Sequence, residues 1–144
     1  MAYRAKTRPT AAGVRAFIDS AEPDVRRQDG HRLCDLMQAI SGLEPVMWGP
    51  SIIGFDTIRY RYESGHSGEI CRIGFSPRKS ALVLYLYPCA NLDVLRVGLG
   101  KHAMGKGCLY IKRLSDVDMG RLEEIIRCSW EAAAHLAKGE DTEA

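Results

Sequence analysis

A chain of 144 residues, 46% hydrophobic and 26% charged, is long enough to bury roughly 70% of its unfolded surface around one core. That composition is globular, and no apolar run approaches the ~20 residues a membrane-spanning helix needs, which argues against a membrane partner. A net charge of +2 does not supply the concentrated basic face that phosphate-driven binding requires, and acids interrupt the basic residues along every predicted helix, so nucleic acid is not an expected partner.

The segment MAYRAKTRPTAAG is basic but leads into no apolar stretch of the secretory type. Five cysteines (Cys34, Cys71, Cys89, Cys108, Cys128) are odd in number and form no CxxC pair, which suits reduced thiols in a cytoplasmic protein. Arg4, Lys6 and Arg8 mark a basic arm over residues 1–9, and Glu140, Asp141 and Glu143 an acidic tail over 139–144. A single domain over 10–138 lies between them.

Thr10 can cap a first helix in which Val14, Phe17, Ile18 and Ala21 repeat at helical spacing, closed by Pro23. A second helix carries Leu33, Leu36, Met37 and Ile40, with Gly42 placed for the left-handed position after its end. Pro45 and Pro50 bracket EPVMWGPSIIGF, which cannot continue a helix. From Thr57 the period becomes two, with Ile58, Tyr60 and Tyr62 on one face. Ser64 to Gly68 reads as a hairpin loop, leading into Glu69 to Phe75 with Cys71, Ile73 and Phe75 aligned. After the turn at Ser76-Pro77-Arg78-Lys79, Ala81 to Tyr87 is apolar on both faces and is expected centrally in the sheet. These three strands make an antiparallel meander.

Asn91 can cap a short helix with Leu92, Leu95 and Leu99, ended by Gly100. Cys108 to Lys112 alternates, with Leu109 and Ile111 as its core pair. Ser115 and Asp118 fit a capping box before a long last helix striped by Met119, Leu122, Ile126, Ser129, Ala133 and Leu136. The fold class is therefore α+β: an antiparallel sheet of about five strands packed against N- and C-terminal helices.

The segment GKHAMGKGCLYIK, residues 100–112, comes within one position of a nucleotide-binding P-loop. A P-loop needs a strand before it and a helix after it, so that N–H groups and the helix dipole converge on phosphate, followed by a hydroxyl for magnesium. Here a helix precedes, a strand follows and position 107 is Gly, so a nucleotide site is not expected. Gly98, Gly100, Gly105 and Gly107 read instead as helix-ending and turn glycines with positive φ. Lys101, His102 and Lys106 between them are a candidate anion-binding set.

Other chemistry is sparse. His31 and Cys34 stand at i, i+3 without a second pair of zinc-ligand spacing, and Cys128 and His135 are two turns apart. Ser51, Ser76 and Cys108 stand in no local nucleophile signature, and Asp116 and Asp118 are accounted for by helix capping. Trp48 on a loop beside Gly49-Pro50 reads as cover for the core before it reads as a pocket wall.

The succession FIDSAEPDVRRQD, LMQAISGLEPVMWGPSIIGF, YRYESGHSGE, GFSPRKSALVLYLY and GKHAMGKGCLYIKRLSDVD closely resembles the YdhG-like family, a small bacterial domain of unknown function, over roughly residues 6 to 130. The resemblance implies a compact α+β sandwich, and one branch of that family is described as a frataxin-like iron chaperone. Iron by that analogy would fall to Asp19, Glu22 and Asp24, a sparse ridge partly neutralised by Arg15, Arg26 and Arg27.

The leading expectation is a non-catalytic binding domain whose cleft, formed by Trp48, Ser51, Arg78, Lys79, Lys101, His102 and Lys106, takes a small anionic ligand or an acidic surface of a protein partner. A homodimer is left open. Weak iron binding and delivery is the alternative, and an enzyme using Ser51 or His102 ranks below both.

Overall fold

The computed structural model describes residues 13–61, 67–105 and 108–136. Gly13, with φ 83°, opens helix α1 (Val14–Asp19), which ends at Ser20, earlier than the Ala21 of the sequence pattern; Thr10 lies outside the described residues. A cis Glu22-Pro23 bond leads directly into α2 (Asp24–Ser41), and Gly42 ends it at φ 73°, as its position in the sequence suggests. Leu33, Cys34 and Met37 of α2 pack with Val14 and Ile18 of α1 in the core.

The sheet has six strands in the order β1-β2-β3-β4-β6-β5, every neighbouring pair antiparallel. β1 (Val46–Trp48) and β2 (Ile52–Arg61) form a hairpin around Gly49 at φ 71°, so β2 begins at Ile52, ahead of the Thr57 of the sequence pattern. β3 (Ser67–Pro77) and β4 (Leu82–Tyr85) complete the meander. Tyr62 and most of the Ser64 to Gly68 loop lie outside the described residues. β4 lies between β3 and β6 with Leu82, Val83 and Leu84 all buried, in keeping with its two-sided apolar pattern.

Ile53, Phe55, Ile73, Phe75, Leu82, Leu84, Leu109 and Ile111 form the sheet's side of the core. Gly54 and Gly74 alternate with them and are paired across β2 and β3, so their open side faces away from the helices. A Cβ on Gly54 would meet Cys71 Cβ at 2.5 Å and Trp48 Cδ1 at 2.6 Å, and one on Gly74 would meet Cys71 Sγ at 2.8 Å. Cys71 therefore fills the outer side of the sheet and is not aligned with Ile73 and Phe75. The alternation breaks at Asp56, a non-glycine residue at φ 64°, whose carboxylate accepts from buried Arg72 across the ladder.

α3 (Leu92–Val97) buries none of its own residues. β5 (Ala103–Gly105) and β6 (Cys108–Ile111) close the sheet, and a 3-10 turn (Leu114–Asp116) precedes α4 (Met119–Ala132). Asp118 alone caps α4, accepting from the Arg121 N–H at 2.8 Å; Ser115 sits in the 3-10 turn, so the capping box does not form. α4 ends at Ala132, and a second 3-10 turn carries Ala134–Leu136.

Cys89 and Cys128 form a disulfide, with their Cα atoms 6.0 Å apart, tying the segment after β4 to α4. This corrects the expectation that all five thiols are reduced: a separation of 39 residues carries no signal of proximity. Closing a loop of that length stabilises by about 4 kcal/mol in the chain-entropy picture. Reduction with dithiothreitol is expected to lower the melting temperature by on the order of 10 °C, and Cys89→Ala in the absence of reductant to match it; differential scanning calorimetry on both checks this.

Candidate functional site

Antiparallel pairing throughout brings the C-terminal ends of β1, β3 and β6 and the N-terminal ends of β2, β4 and β5 to one end of the sheet. Trp48, Ser51, Arg78, Lys79, Lys101 and His102 all belong to that end. They are spread along it, because β1 and β5 are opposite edges, about 24 Å apart at the usual strand spacing. Trp48 and Ser51 therefore share no cleft with Lys101 and His102, which corrects the single seven-residue cleft read from sequence. Lys106 lies outside the described residues.

The middle of this end is organised by Arg26 of α2. Its side chain is buried, with 4% exposure for the residue, and reaches between two chain segments. Nε donates to the Arg78 carbonyl at 2.7 Å, Nη2 to the Lys79 carbonyl at 3.3 Å, and Nη1 to the Lys112 carbonyl. One turn further along α2, Asp29 accepts from the Leu114 N–H at 2.9 Å. The two side chains thus fix the β3–β4 turn and the chain leaving β6 to the same helix. Burial pulls the Arg26 pKa down from the ordinary arginine value, Asp29 acts against this and Arg113 adds to it; an arginine remains charged regardless.

With their carbonyls held inward, the cationic residues of these segments stand at the rim. Arg78 folds back over the outer face of the sheet, donating from Nη2 to the Tyr85 hydroxyl at 2.7 Å and from Nε toward buried Ser76 at 3.4 Å. Lys79 lines a recess with Glu22, Asp24 and Arg27. Lys101, His102, Tyr110 and Lys112 line a cleft of about 210 Å³ together with Ala81 and Ala103. Arg78, Lys79, Lys101, Lys112 and Arg113 make no ion pair with any described residue, whereas Arg15, Arg27, Arg72, Arg96, Arg121 and Arg127 each do. Lys112 and Tyr110 went unnoticed in the sequence, although the alternation of β6 already sets Tyr110 opposite to Leu109 and Ile111.

His102 is positioned by its neighbours. Arg96 Nη1 lies 3.4 Å from Nε2, and the Gly100 carbonyl 2.7 Å from Nδ1. Since a guanidinium only donates and a carbonyl only accepts, the proton belongs on Nδ1 and Nε2 accepts. The glycines beside it are explained by two different constraints. Gly100 has φ 112°, and a Cβ there would meet the Asp116 carbonyl oxygen at 2.5 Å. Gly98 has φ −98°, and Gly105 carries no positive φ; they are small because Arg121 and the Tyr110 ring pack against them. Gly107 lies outside the described residues.

The three acids considered for iron have other attachments. Asp19 bonds His31 Nε2 at 2.7 Å, Asp24 pairs with Arg27, and Glu22 lies in the recess beside Lys79. Among the described residues no three His, Cys, Asp or Glu side chains come together as a metal site. Ser51 lies half-buried in the β1–β2 turn with no histidine or carboxylate bonded to it among the described residues. The Trp48 indole lies across Gly54, and its buried Nε1 has no hydrogen-bond partner among the described residues.

Six antiparallel strands with helices packed on one face define an α+β domain with a cationic sheet end. No family model matches the chain, and no curated protein or solved structure matches it. No described helix is long and apolar enough to cross a membrane.

Two measurements test this arrangement. Arg26→Ala leaves three carbonyls without their donor and is expected to cost about 3 kcal/mol in urea unfolding. Arg26→Lys recovers less than half of that, since one ammonium lacks the planar fork that spans separate segments. Burial pushes the Cys34 thiol up to about 11 and the Cys71 thiol up to about 12, so neither forms thiolate at pH 8. Iodoacetamide on the native protein at that pH is expected to modify half-buried Cys108 alone, as read by mass spectrometry of the peptides.

Proposed function

We propose that this is a non-catalytic binding domain, YdhG-like by its sequence motifs, that takes a small multiply charged anion, or the acidic surface of a partner, at the cationic sheet end. The observation that carries the reading is the pair of cations without a described counter-ion, Lys101 and Lys112, on the 210 Å³ cleft, with the Lys112 carbonyl held by the buried Arg26. Arg15, Arg96, Arg121 and Arg127 are matched by carboxylates within their own helices or across to a neighbour; here Lys101 and Lys112 face one cleft without a described counter-ion. Such a pair repels itself until an anion arrives, so the anion contributes differential stabilisation to the bound state.

A binding role fits better than a reaction. Both His102 nitrogens are engaged, which removes its free lone pair as a base, and Ser51 belongs to the far edge of the sheet. Iron delivery of the frataxin-like kind is the second reading, and it is the weaker one because Asp19 and Asp24 already have cationic or histidine partners. The cytoplasmic location expected from reduced thiols loses that support with the Cys89–Cys128 disulfide.

Isothermal titration with pyrophosphate and with citrate tests the first reading. Binding is expected to weaken about tenfold in each of Lys101→Ala and Lys112→Ala, the equivalent of about 1.4 kcal/mol, and to fall as sodium chloride is raised. Heat changes that persist unaltered in the double variant would refute the site. Ferrous iron bound at micromolar protein and lost in Asp19→Asn would favour the second reading.

A further inference from the structure

β4 stops at Tyr85, opposite Gly74, while β3 begins well before that point at Ser67. The N-terminal half of β3 therefore pairs with β2 alone, and the chain leaving β4 as Leu86-Tyr87-Pro88 diverges from it. A cavity of about 320 Å³ fills the gap. Ile58, Ile70, Leu86 and Pro88 give it an apolar body, and Arg72 is the one charged residue on its wall. The diverging segment is fixed in place: the Tyr87 N–H donates to Ser129 Oγ at 2.6 Å, and the Cys89–Cys128 disulfide follows immediately. The cavity is thus part of the folded frame and does not depend on a ligand to open it.

The polar groups around it are unequal. Arg72 is 7% exposed, donates from Nε to the Trp130 carbonyl at 2.8 Å and from Nη1 to Asp56 at 3.1 Å, and lies 3.6 Å over the Trp130 ring. Its Nη2 makes no hydrogen bond to a described residue. Tyr85, also on the wall, uses its oxygen to accept from Arg78, which leaves the hydroxyl proton to be donated elsewhere. Arg78 itself has no described carboxylate partner, so the charge behind Tyr85 is uncompensated. Arg72 is paired with Asp56, so what it offers the cavity is its unused donors, and donors beside an apolar body call for a ligand that brings acceptors on an apolar skeleton.

We propose that this cavity binds a small apolar carboxylic acid, either a medium-chain aliphatic acid or an acid on a single aromatic ring. The carboxylate takes the unused donors of Arg72, and the hydrocarbon lies against Ile58, Ile70, Leu86 and Pro88. This site is separate from the Lys101–Lys112 cleft and does not depend on it.

The test uses octanoate and phenylacetate, with octanol and inorganic phosphate for comparison, followed by methyl NMR of the full chain. Octanoate is expected to shift the methyl resonances of Ile58, Ile70 and Leu86 and to slow iodoacetamide modification of Cys108, which also lines the cavity. Octanol is expected to bind about tenfold more weakly, and Arg72→Leu to weaken octanoate by a similar factor. Since Arg72→Leu strands Asp56 and can unfold the protein, Cys108→Phe provides the second variant: it fills the cavity and should abolish the octanoate shifts while the pyrophosphate response at Lys101 and Lys112 persists. Octanol binding as tightly as octanoate, octanoate binding unchanged in Cys108→Phe, shifts confined to residues around Lys101, or no methyl shift at millimolar octanoate would each overturn the proposal.

Discussion

One buried guanidinium sets the geometry at the functional end of this protein. Burying a charge without a bonded carboxylate is expensive, and Arg26 meets that cost by donating to three carbonyls that would otherwise need partners of their own. The consequence is topological as much as energetic. The β3–β4 turn and the exit from β6 are distant in sequence, and the same side chain holds both against α2. Their backbone oxygens point to the arginine, so the side chains of Arg78, Lys79 and Lys112 are left at the surface. The cationic rim follows from where the carbonyls go.

The outer face of the sheet is built by a different economy. Gly54 and Gly74 leave a hollow across β2 and β3, and Trp48 and Cys71 fill it from either side. Close packing of this kind tolerates no added methyl group where the obstacle is backbone, as the 2.6 Å approach of the Ile53 carbonyl oxygen to a Gly74 Cβ shows. The bend at Asp56 then turns Arg72 in toward the C-terminal end of α4, where the ring and carbonyl of Trp130 receive it. Two arginines, one at each end of the sheet, therefore join helix to sheet by bonding backbone oxygens.

Much of this frame could be read along the chain, and the losses have identifiable causes. α2 was legible because Leu33, Leu36, Met37 and Ile40 hold the helical period up to a well-placed Gly42. In the β2–β3–β4 meander, β2 and β3 were legible from period two and β4 from an apolar run on both faces. The β1–β2 hairpin was not: two prolines mask the strands, although Gly49-Pro50 between Val46–Trp48 and Ile52 is itself a turn signal. β5 was missed because three residues inside a glycine-rich loop carry no measurable period. The candidate site divides in the same way. Lys101 and His102 attracted notice through their glycine neighbours, whereas Arg26 looked like one more charge on an amphipathic helix. Its burial depends on carbonyls some fifty and more residues away, and no local pattern encodes that.

The outermost strands, β1 and β5, are three residues each. A strand margin with so few free N–H and C=O groups offers a passing chain little template to extend the sheet. Growth by edge addition, the route by which exposed sheets turn into fibres, is thereby discouraged at β1 and β5 themselves. The longer runs of strand edge that no neighbouring strand covers lie inward of them, on β2 past Gly54 and on β3 before Gly74.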